Sequence, residues 1–342
     1  MSLKNSSAKN KIPRLLKDHL NDRKINQVYK SFEKSLDTNK NFVVAVSGGP
    51  DSLALAFLAK IYSLKKGLSP KYLIVDHKLR PESTKEAKLV KHLLKSFLIK
   101  GEILTWRGKK PSKNIQSVAR KKRFELIFKT CEKYKIKNIL LGHHLDDLFE
   151  NFFIRLTRGS GLKGLVSLDI KSMIDSKNLL RHLLYQNKKD LEYISSQVFG
   201  FYVQDPSNKE DKYQRTKIRK LIEDLKKNGL DKKKFINSIN NLKFSNKVIN
   251  FYVNKNFKEN TYFLKKTNQL ILNNEFFQQP DEIIFRSLSD SLKLVGKKFY
   301  SVRGKKLDKI IRDIKKDEIF KQTLGGCIIE KVNQTVIIKK EE

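Results

Sequence analysis

The chain has 342 residues, of which 39% are apolar, so it is long enough for two domains, or three, with sizeable hydrophobic cores. Its 73 basic and 36 acidic residues give a formal net charge of +37, and an excess of this size indicates a polyanionic partner, most simply a nucleic acid. The codon usage of an AT-rich genome would account for part of the lysine content. No apolar run approaches the roughly 20 residues of a membrane helix, so we expect no membrane contact.

The N-terminus and the cysteines are typical of a cytoplasmic protein. Residues 1–11 are polar and lysine-rich, and they lack the apolar segment of a secretory signal. Cys131 and Cys327 are far apart in the sequence and form no CxxC pair, which indicates a reducing compartment rather than a disulfide scaffold.

Residues 1–38 are predicted to form a basic, mostly helical lead-in, and short apolar strands then alternate with helices. The strands are predicted at 42–46, 72–75, 102–106 and 138–141, and the helices that follow them at 52–65, 82–98, 115–134 and 146–157. Ser83 and Glu86 are expected to form a capping box at the second of these helices. Four such units predict an α/β fold with a parallel sheet covered on both faces, whose ligands bind at the carboxyl ends of the strands.

The second half of the chain begins with two further helices, predicted at 188–199 and 216–227. Asn228-Gly229 then provides a C-cap and a linker. The remaining residues are rich in lysine and asparagine and end in a predicted β-hairpin over 324–338. We therefore divide the chain into the lead-in at 1–38, a main domain at 39–227 and a smaller, mixed α/β C-terminal domain at 228–342.

The polar turn after the first strand is the strongest local signal, because it reads Ser47-Gly48-Gly49-Pro50-Asp51-Ser52. A buried strand, a glycine turn and a helix N-terminus present several backbone N–H groups to one small space, which suits a pyrophosphate. Asp51 would repel a bare phosphate, so we expect it to act through Mg²⁺. The turn is not a Walker A loop, because no lysine closes it. The structural alternative is an ordinary strand–turn–helix with a Ser or Asp cap.

Polar residues also follow the second strand and open the third helix. Asp76 and His77 close the second strand, where they suit nucleotide contacts or catalysis, or only a strand-end turn. The third helix opens with polar residues that would line one approach to the site, or that would form a solvated basic face: Asn114, Gln116, Arg120 and Arg123.

The junction of the fourth strand and its helix is the second strong signal. His143, His144, Asp146, Asp147 and Glu150 lie within eleven residues that begin at Leu141. The segment lacks the two histidines spaced by four that bind zinc on a protease helix, so it fits a hard-cation site better.

Arginine is scarce in this lysine-rich chain, with only 14 residues, and eight of them fall in the polar segments. Its guanidinium group binds phosphate through a planar fork that lysine cannot reproduce. The candidates for contacts to a nucleic-acid backbone are Arg123, Arg155, Arg158, Arg181 and Arg219. A last polar set precedes the linker and consists of Asp205, Ser207, Asn208, Arg215 and Arg219.

Taken in order, these segments resemble the tRNA(Ile)-lysidine synthase family of PP-loop ATP pyrophosphatases. The matching motifs lie within about 41–220 and read SGGxDS, DHxLR, NxQxxAR, GHHxDD, RGSGxxGL and DxSN followed by two arginines. The departures from the family pattern are Leu148, Asn151, His182 and Thr216. The resemblance implies a PP-loop catalytic domain of the adenine nucleotide α-hydrolase-like, Rossmann-like fold and a basic, tRNA-binding C-terminal domain.

The resemblance also implies a reaction, in which free L-lysine is joined to C2 of the wobble cytidine of tRNA(Ile) with a CAU anticodon. The cytidine is first adenylated by ATP with release of pyrophosphate, and the ε-amine of lysine then displaces AMP to give lysidine. ATP and Mg²⁺ are the implied cofactors. The tRNA and lysine are the implied partners, and a homodimer is one oligomeric arrangement compatible with them.

Residue roles follow from the same resemblance. The implied nucleotide-binding residues are Ser47, Gly48, Gly49, Pro50, Asp51, Ser52, His77, Arg120 and His143. The implied catalytic residues are Asp51, Asp76, Asp146, Asp147 and Arg215. Asp51 and Asp147 would attend the metal, Asp146 or Asp76 would orient or deprotonate the lysine amine, and Arg215 would stabilise charge near the α-phosphate. The implied tRNA-binding residues are Arg123, Arg155, Arg158, Arg181 and Arg219.

Two other functions remain open at this point. One is another PP-loop tRNA-modifying enzyme, although a thiolase needs cysteines near its site and this chain has none there. The other is a non-catalytic RNA-binding protein with a degenerate nucleotide fold, which the intact Ser47, Asp51, Asp146 and Asp147 disfavour.

Overall fold

The computed structural model describes residues 12–108, 111, 115–203, 214–297, 302, 304–316 and 321–341. The chain divides into two compact units, Met1–Asp231 and Lys232–Glu342. The sequence places this boundary after residue 227, and Gly229 lies between the two positions with a left-handed φ of +95°. Gly229 N–H donates to the Lys226 carbonyl oxygen at 3.3 Å, which ends the preceding helix as the Asn228-Gly229 pair predicts.

The larger unit is an α/β sandwich. Its described strands are β1 (Phe42–Val46), β2 (Lys71–Asp76), β3 (Gly101–Thr105), β4 (Asn138–Leu140), β5 (Lys171–Ile174) and β6 (Lys177–Leu180). Its described α-helices are α1 (Arg14–Asp18), α2 (Arg23–Leu36), α3 (Pro50–Lys66), α4 (Ser83–Ser96), α5 (Ile115–Lys133), α6 (Leu145–Leu156), α7 (Leu162–Leu165), α8 (Lys188–Phe199) and α9 (Gln214–Lys227).

The sheet of the larger unit has the order β3-β2-β1-β4-β6-β5. The first five strands in that order pair in parallel, which confirms the predicted parallel sheet. The strand order reverses between β1 and β4, so the crevice beyond their carboxyl ends is the switch point where ligands of such sheets bind. The turn at 47–52 and the segment at 142–147 both begin at this crevice.

The hairpin of β5 and β6 was not predicted. β5 pairs antiparallel with β6 at the edge of the sheet, and its residues are only partly buried. Asp175 and Ser176 form the turn with φ angles of +45° and +61°, so the hairpin lacks the glycine that usually marks such a turn in a sequence. Short polar strands without a glycine turn give little periodicity to detect.

The start of α4 corrects the predicted capping box. Ser83 is the first helical residue rather than the cap, and the cap position makes no side-chain hydrogen bond. Ser83 Oγ donates to Asp76 Oδ1 at 2.8 Å, while Glu86 Oε2 accepts from Arg80 Nη2 at 3.0 Å. Both side chains therefore bind residues of the loop after β2, whose positions depend on the tertiary structure.

The basic lead-in is part of the larger unit's core, from residue 12 onward. Asp22 caps α2 by accepting hydrogen bonds from the N–H groups of Lys24 and Ile25 at 2.8 and 2.9 Å. The inner face of α2 carries Tyr29 and Phe32, which are buried in the same core cluster as α3 and α8. A second cluster lies on the opposite face of the sheet under α5, so helices cover both faces as predicted.

The smaller unit is an antiparallel sheet packed against helices. Its strands are β7 (Thr261–Leu264), β8 (Gln269–Leu272), β9 (Lys321–Leu324), β10 (Cys327–Val332) and β11 (Thr335–Lys340), in the order β7-β8-β11-β10-β9. Its α-helices are α10 (Lys232–Asn260), α11 (Asp281–Gly296) and α12 (Gly304–Lys315). The predicted hairpin is confirmed as β10–β11. No helix in the described part of either unit is both long enough and apolar enough to span a bilayer.

Candidate active site

The turn after β1 is closed by one hydroxyl group. Ser52 Oγ accepts hydrogen bonds from the N–H groups of Ser47 and Gly48, each at 3.1 Å, and donates to the Gly49 carbonyl oxygen at 2.9 Å. Pro50 begins α3, two residues earlier than predicted, because a proline suits the first helical position. Ser52 thus holds the turn itself, and the first turn of α3 presents the N–H groups that a helix leaves without internal partners.

Two glycines allow close approaches at the site, of the turn after β1 to α4 and of the segment after β4 to the start of α3. Gly48 has a φ of +90°, and a Cβ there would lie 2.5 Å from Val90 Cγ2. A Cβ on Gly142 would lie 3.1 Å from the carbonyl carbon and oxygen of Asp51, which are backbone atoms that cannot turn aside. A side chain at Gly48 would therefore push the turn away from α4, and one at Gly142 would push the segment after β4 away from the start of α3.

Asp51 and Asp147 flank one imidazole ring. His144 Nε2 lies 3.6 Å from Asp51 Oδ2 and 3.5 Å from Asp147 Oδ2. His144 Nδ1 accepts a hydrogen bond from Asp146 N–H at 3.2 Å, so the geometry assigns the ring hydrogen to Nε2, between the carboxylates. Asp147 Oδ2 accepts from His144 N–H at 3.0 Å, which completes a capping box for α6.

The two carboxyl groups differ in their electrostatics. Burial raises the pKa of Asp51 to about 6, with the charge of Asp147 acting in the same direction and His144 opposing both. Burial also acts to raise the pKa of Asp147, but His144 and His143 outweigh it, so that pKa lies below its usual range. Asp51 Oδ1 is buried without a hydrogen-bond partner among the described residues. A cation beside Asp51 would supply that missing interaction.

This pair suits a magnesium ion whose shell is completed by the substrate. Within the described ranges, no three His, Cys, Asp or Glu residues come together as a metal site. Mg²⁺ is usually held by one or two carboxylates together with phosphate oxygens and water. Asp51, with its unpartnered oxygen, and Asp147 therefore fit as the protein's share of such a site.

A second group of charges surrounds His143. Burial lowers its pKa to about 4; Asp147 opposes this effect, while Arg181, Arg120 and Arg215 add to it. The ring is therefore neutral at pH 7, and three guanidinium groups act on it. The structure thus brings Arg120, His143 and Arg215 into one electrostatic neighbourhood that suits an anion.

Asp76 is held entirely by the protein. It is 2% exposed, and its carboxylate accepts hydrogen bonds from Lys78 N–H at 2.9 Å, Ser83 Oγ at 2.8 Å and Thr84 Oγ1 at 2.7 Å. Burial acts to raise its pKa, but the bonds from Thr84, Lys78 and Ser83 lower that pKa below its usual range. Such a carboxylate is a poor base, so its surroundings favour the role of fixing the loop after β2 over the implied catalytic one.

His77 and Arg123 contact each other at the end of β2. Arg123 Nε donates to His77 Nε2 at 3.3 Å. Burial, and then the charge of Arg123, lower the pKa of His77 to about 4, so this ring is also neutral at pH 7. The sequence assigned His77 to the nucleotide and Arg123 to RNA, whereas the structure joins them in one contact.

A cavity of about 140 Å³ lies between α6, α8 and α9. Its lining alternates acidic and basic groups and consists of His144, Asp146, Glu150, Lys188, Arg219, Ile222, Glu223 and Lys226. Glu150 is 3% exposed; its Oε1 accepts from Arg219 Nε at 2.5 Å, while Oε2 has no hydrogen-bond partner among the described residues.

The sequence reasoning placed Glu150 only in a general hard-cation cluster and assigned no role to Lys188. One available signal was the spacing of Glu150, four residues after Asp146 and hence on the same face of a helix. Lys188 gave no such signal, because it comes to the cavity from the start of α8, far along the chain.

Two of the five arginines assigned to RNA bind other residues of the protein. Arg181 is 4% exposed, and its Nη1 donates to the Asp169 carbonyl oxygen at 2.8 Å and to Ser172 Oγ at 2.9 Å. It therefore fixes the β5 edge, and its burial disfavours the predicted contact to an RNA backbone. Arg219 is bound to buried Glu150, but its side chain is 34% exposed, so its assignment to RNA stays a prediction.

The other three arginines, Arg123, Arg155 and Arg158, are exposed, as an RNA contact requires. Arg158 Nη2 also donates to Gln214 Oε1, at the start of α9. Four predicted polar residues lie outside the described part of the chain: Asn114, Asp205, Ser207 and Asn208.

Comparisons with known proteins agree with this site. A family model described as a PP-loop domain matches residues 17–225. The tRNA(Ile)-lysidine synthase of Wolbachia pipientis wMel is 34% identical over 308 residues, which cover 89% of this chain and 71% of that protein. The tRNA(Ile)-lysidine synthase of Orientia tsutsugamushi (strain Boryong) is 34% identical over 323 residues, which cover 90% of this chain and 71% of that protein. The chain belongs to the tRNA(Ile)-lysidine synthase family. It is accordingly an enzyme of the PP-loop class, and its PP-loop domain uses ATP.

A solved structure confirms the fold alone. The U34-tRNA thiolase NcsA from Methanococcus maripaludis, determined with its 4Fe-4S cluster, superimposes with a TM-score of 0.56 at 16% sequence identity. The match covers 64% of this chain and 78% of that one. The larger unit therefore has the PP-loop α/β fold that the resemblance implied.

The approach at Gly142 generates a first prediction. Gly142→Ala places a Cβ against the Asp51 backbone, and we expect a loss of about 1–3 kcal/mol in the free energy of unfolding together with weaker ATP binding. Gly161→Ala is the matched control, because a Cβ there meets no atom within 4 Å and the φ of −65° is ordinary. Urea unfolding and ATP titration measure both effects; equal behaviour of the two variants would contradict the close approach.

Proposed function

We propose that the enzyme joins the ε-amine of L-lysine to C2 of the wobble cytidine of tRNA(Ile) with a CAU anticodon, and cleaves ATP to AMP and pyrophosphate. One observation carries this proposal: in a chain of this family, the PP loop, the Asp51–Asp147 pair and a cavity lined by both signs of charge meet at the carboxyl ends of β1 and β4.

The nucleotide is assigned to the turn after β1 and to the charges around His143. The first turn of α3 offers N–H groups and a helix dipole to the pyrophosphate portion. Arg120 and Arg215, which act on His143, are assigned to the α-phosphate, where negative charge develops. The neutral ring of His143 is assigned as a hydrogen-bonding group.

Asp51 and Asp147 would hold Mg²⁺. When bound, this ion neutralises charge on the triphosphate and assists the departure of pyrophosphate. Asp147 enters this role ionised, because histidine contacts and the His144 N–H lower its pKa. The Nε2–H of His144 lies between the two carboxylates and would hold them at a fixed distance from each other.

The chemistry has two steps, because the C2 oxygen of cytosine is a poor leaving group. That oxygen attacks the α-phosphorus, the bond to the pyrophosphate oxygen breaks, and an adenylated cytidine results. The lysine ε-amine then attacks C2, and AMP leaves with the former C2 oxygen. The amine loses a proton in this step, and we assign that proton to Asp146, which lines the cavity beside His144.

The cavity between α6, α8 and α9 is assigned to lysine. This substrate carries two ammonium groups and one carboxylate, so its site must offer both signs of charge. Asp146, Glu150 and Glu223 supply the acceptors, and Lys188 and Lys226 supply cations. The buried Oε2 of Glu150, which makes no hydrogen bond among the described residues and lies 4.0 Å from Arg215 Nε, would gain a charged hydrogen bond from an ammonium group.

The tRNA is assigned to cationic surfaces of both units. A wobble base in an anticodon loop is open to unstacking, so it can enter a site that a paired base cannot. In the larger unit, Arg123, Arg155 and Arg158 are exposed. In the smaller unit, α12 carries a cationic ridge, which we define as Lys305, Lys309 and Arg312, all exposed.

The spacing of the cationic ridge supports a phosphate contact. Its residues recur at intervals of four and three, so they fall within about 60° around the helix axis and extend over about 10 Å. A row of exposed cations of this length suits the backbone of a nucleic acid. The opposite face of α12 packs Leu307, Ile310 and Ile314 into the unit's core.

The thiolase alternative is disfavoured by both cysteines. Cys131 is buried in α5, and burial raises its pKa to about 11, so it is not a thiolate at pH 7. Cys327 is buried in the core of the smaller unit, where its Sγ donates to the Leu292 carbonyl oxygen at 3.3 Å.

The decisive experiment incubates the full chain with ATP, Mg²⁺, labelled lysine and an unmodified isoleucine tRNA with a CAU anticodon, followed by nucleoside mass spectrometry. Addition of a lysine mass to cytidine supports the proposal. Release of AMP and pyrophosphate without label transfer would mean that the enzyme uses another substrate in place of lysine or of this tRNA. Absence of any ATP turnover would favour a non-catalytic RNA-binding protein.

Asp51→Asn should separate stability from activity. The change removes a partly buried charge that lies near Asp147, so we expect an unchanged or higher free energy of unfolding. It also removes a metal ligand, so ATP turnover should fall about 100-fold or more. Asp175→Asn makes the same charge change in an exposed turn and should alter neither quantity. Full ATP turnover by the Asp51 variant would contradict the assignment of Asp51 as a metal ligand.

Glu150→Gln tests the lysine cavity. The amide cannot form the charged hydrogen bond to an ammonium group, so we expect the KM for lysine to rise about 10-fold or more while the KM for ATP stays unchanged. Glu125→Gln, on an exposed helix face, is the control. A parallel rise of both constants would show that Glu150 only supports the fold, through its bond to Arg219.

The cationic ridge has its own prediction. Lys305→Ala/Lys309→Ala/Arg312→Ala should weaken tRNA binding and make the slope of log Kd against log salt shallower by about 2. The triple variant Lys265→Ala/Lys266→Ala/Lys293→Ala removes the same charge from exposed positions of the same unit. Identical slopes for the two triple variants would mean that net charge, and not the ridge, binds the RNA.

A further inference from the structure

The outer face of α10 carries large apolar side chains in solvent. We call Phe244, Val248, Phe251 and Tyr252 the α10 stripe; their exposed fractions are 61%, 58%, 64% and 50%. Their spacing of four, three and one residues places them on one side of the helix. Contiguous exposed apolar surface on a folded unit usually marks a binding site.

The α10 stripe is not a fragment of the core. The opposite side of α10 holds the buried residues Ile239, Val253 and Asn256. Asn256 Nδ2 donates to the Phe276 carbonyl oxygen and to Ser287 Oγ, each at 3.3 Å, and so fixes that inner side against the rest of the smaller unit. Because the inner side of α10 is fixed in this way, the stripe on its other side faces solvent.

The charges beside the α10 stripe favour a polyanion. Lys247 Nζ lies 5.3 Å from the centre of the Phe244 ring, and Lys255 and Lys258 are exposed further along the same helix. Cations interleaved with aromatic rings are the usual surface for unpaired nucleotides, because bases stack on the rings while lysines meet the phosphates.

A second copy of the chain is a poorer occupant. The stripe offers on the order of 400 Å², about half of what each partner contributes to a typical stable interface. Pairing two such helices would also bring Lys247, Lys255 and Lys258 of both copies together, and like charges repel.

We propose that the α10 stripe binds unpaired nucleotides of an RNA, with bases stacked on Phe244, Phe251 and Tyr252. Phe251 and Tyr252 have ring centres 5.4 Å apart with their planes at 85°, so they present faces in two directions. The inference deepens the proposed function, because it rests on a tRNA substrate and assigns the stripe to a single-stranded part of it.

The first test measures binding of the full chain to a short, labelled single-stranded RNA and to a blunt RNA duplex by fluorescence anisotropy. Phe251→Leu keeps an apolar side chain but removes the ring face, so its Kd for the single strand should rise about 5-fold or more. Tyr262→Leu, at an equally exposed aromatic residue on β7, is the matched control and should bind as the parent does. Neither change should alter duplex binding or the salt slope.

A second test reports contact directly and does not depend on catalysis. Phe251→Trp should retain affinity, and its fluorescence should be quenched by the single strand beyond any change of the parent, whose one tryptophan is Trp106. Unchanged affinity of Phe251→Leu, or quenching of Phe251→Trp no greater than that of the parent, would overturn the proposal.

The remaining outcomes separate this inference from the proposed function. One such outcome is that light scattering finds the parent chain to be a dimer and Phe251→Ala to be a monomer. That result would mean that a second copy of the chain, and not RNA, occupies the stripe. Loss of single-strand binding in Phe251→Leu, found together with no lysine transfer to tRNA by the parent, would support the stripe while the proposed reaction failed.

Discussion

A partly buried carboxyl group at the start of a helix is the constraint on which the site depends. Asp51 lies in the first turn of α3, within reach of the same imidazole as Asp147, and burial raises its pKa. Such a group destabilises a fold unless a helix N-terminus, a proton or a cation compensates it. The chain nonetheless brings β4 close enough that Gly142 has no room for a side chain. Strained electrostatics of this kind are typical of functional sites.

The acidic residues around the switch point differ in function because their surroundings differ. Asp76 has its oxygens filled by a backbone N–H and two hydroxyl groups, so it organises a loop. Asp147 is kept ionised by two histidines, which suits a metal ligand. Glu150 has one oxygen on Arg219 and the other without a hydrogen-bond partner among the described residues, which suits recognition of an ammonium group. Residue type alone would not separate these roles.

The smaller unit offers two physically different surfaces for RNA. The cationic ridge on α12 would act through counterion release, so its contribution depends on salt and not on base identity. The α10 stripe would act through stacking, which needs unpaired bases and is less sensitive to salt. Both surfaces lie on helices whose opposite faces are anchored in one core, together with β8, β10 and β11. A rigid support of this kind lowers the entropy lost when the surfaces bind.

The sequence by itself determined the parallel sheet, the PP loop and the family. These features are local, because the apolar strands, the turn at 47–52 and the segment at 142–147 each consist of consecutive residues. The tertiary structure alone decided that Ser52 closes its own turn, that Arg181 is buried and that Lys188 and Glu150 share a cavity. These outcomes depend on contacts between residues far apart in the chain. A hydrogen bond or burial across such distances leaves no periodic trace in the sequence, so only the folded chain shows it.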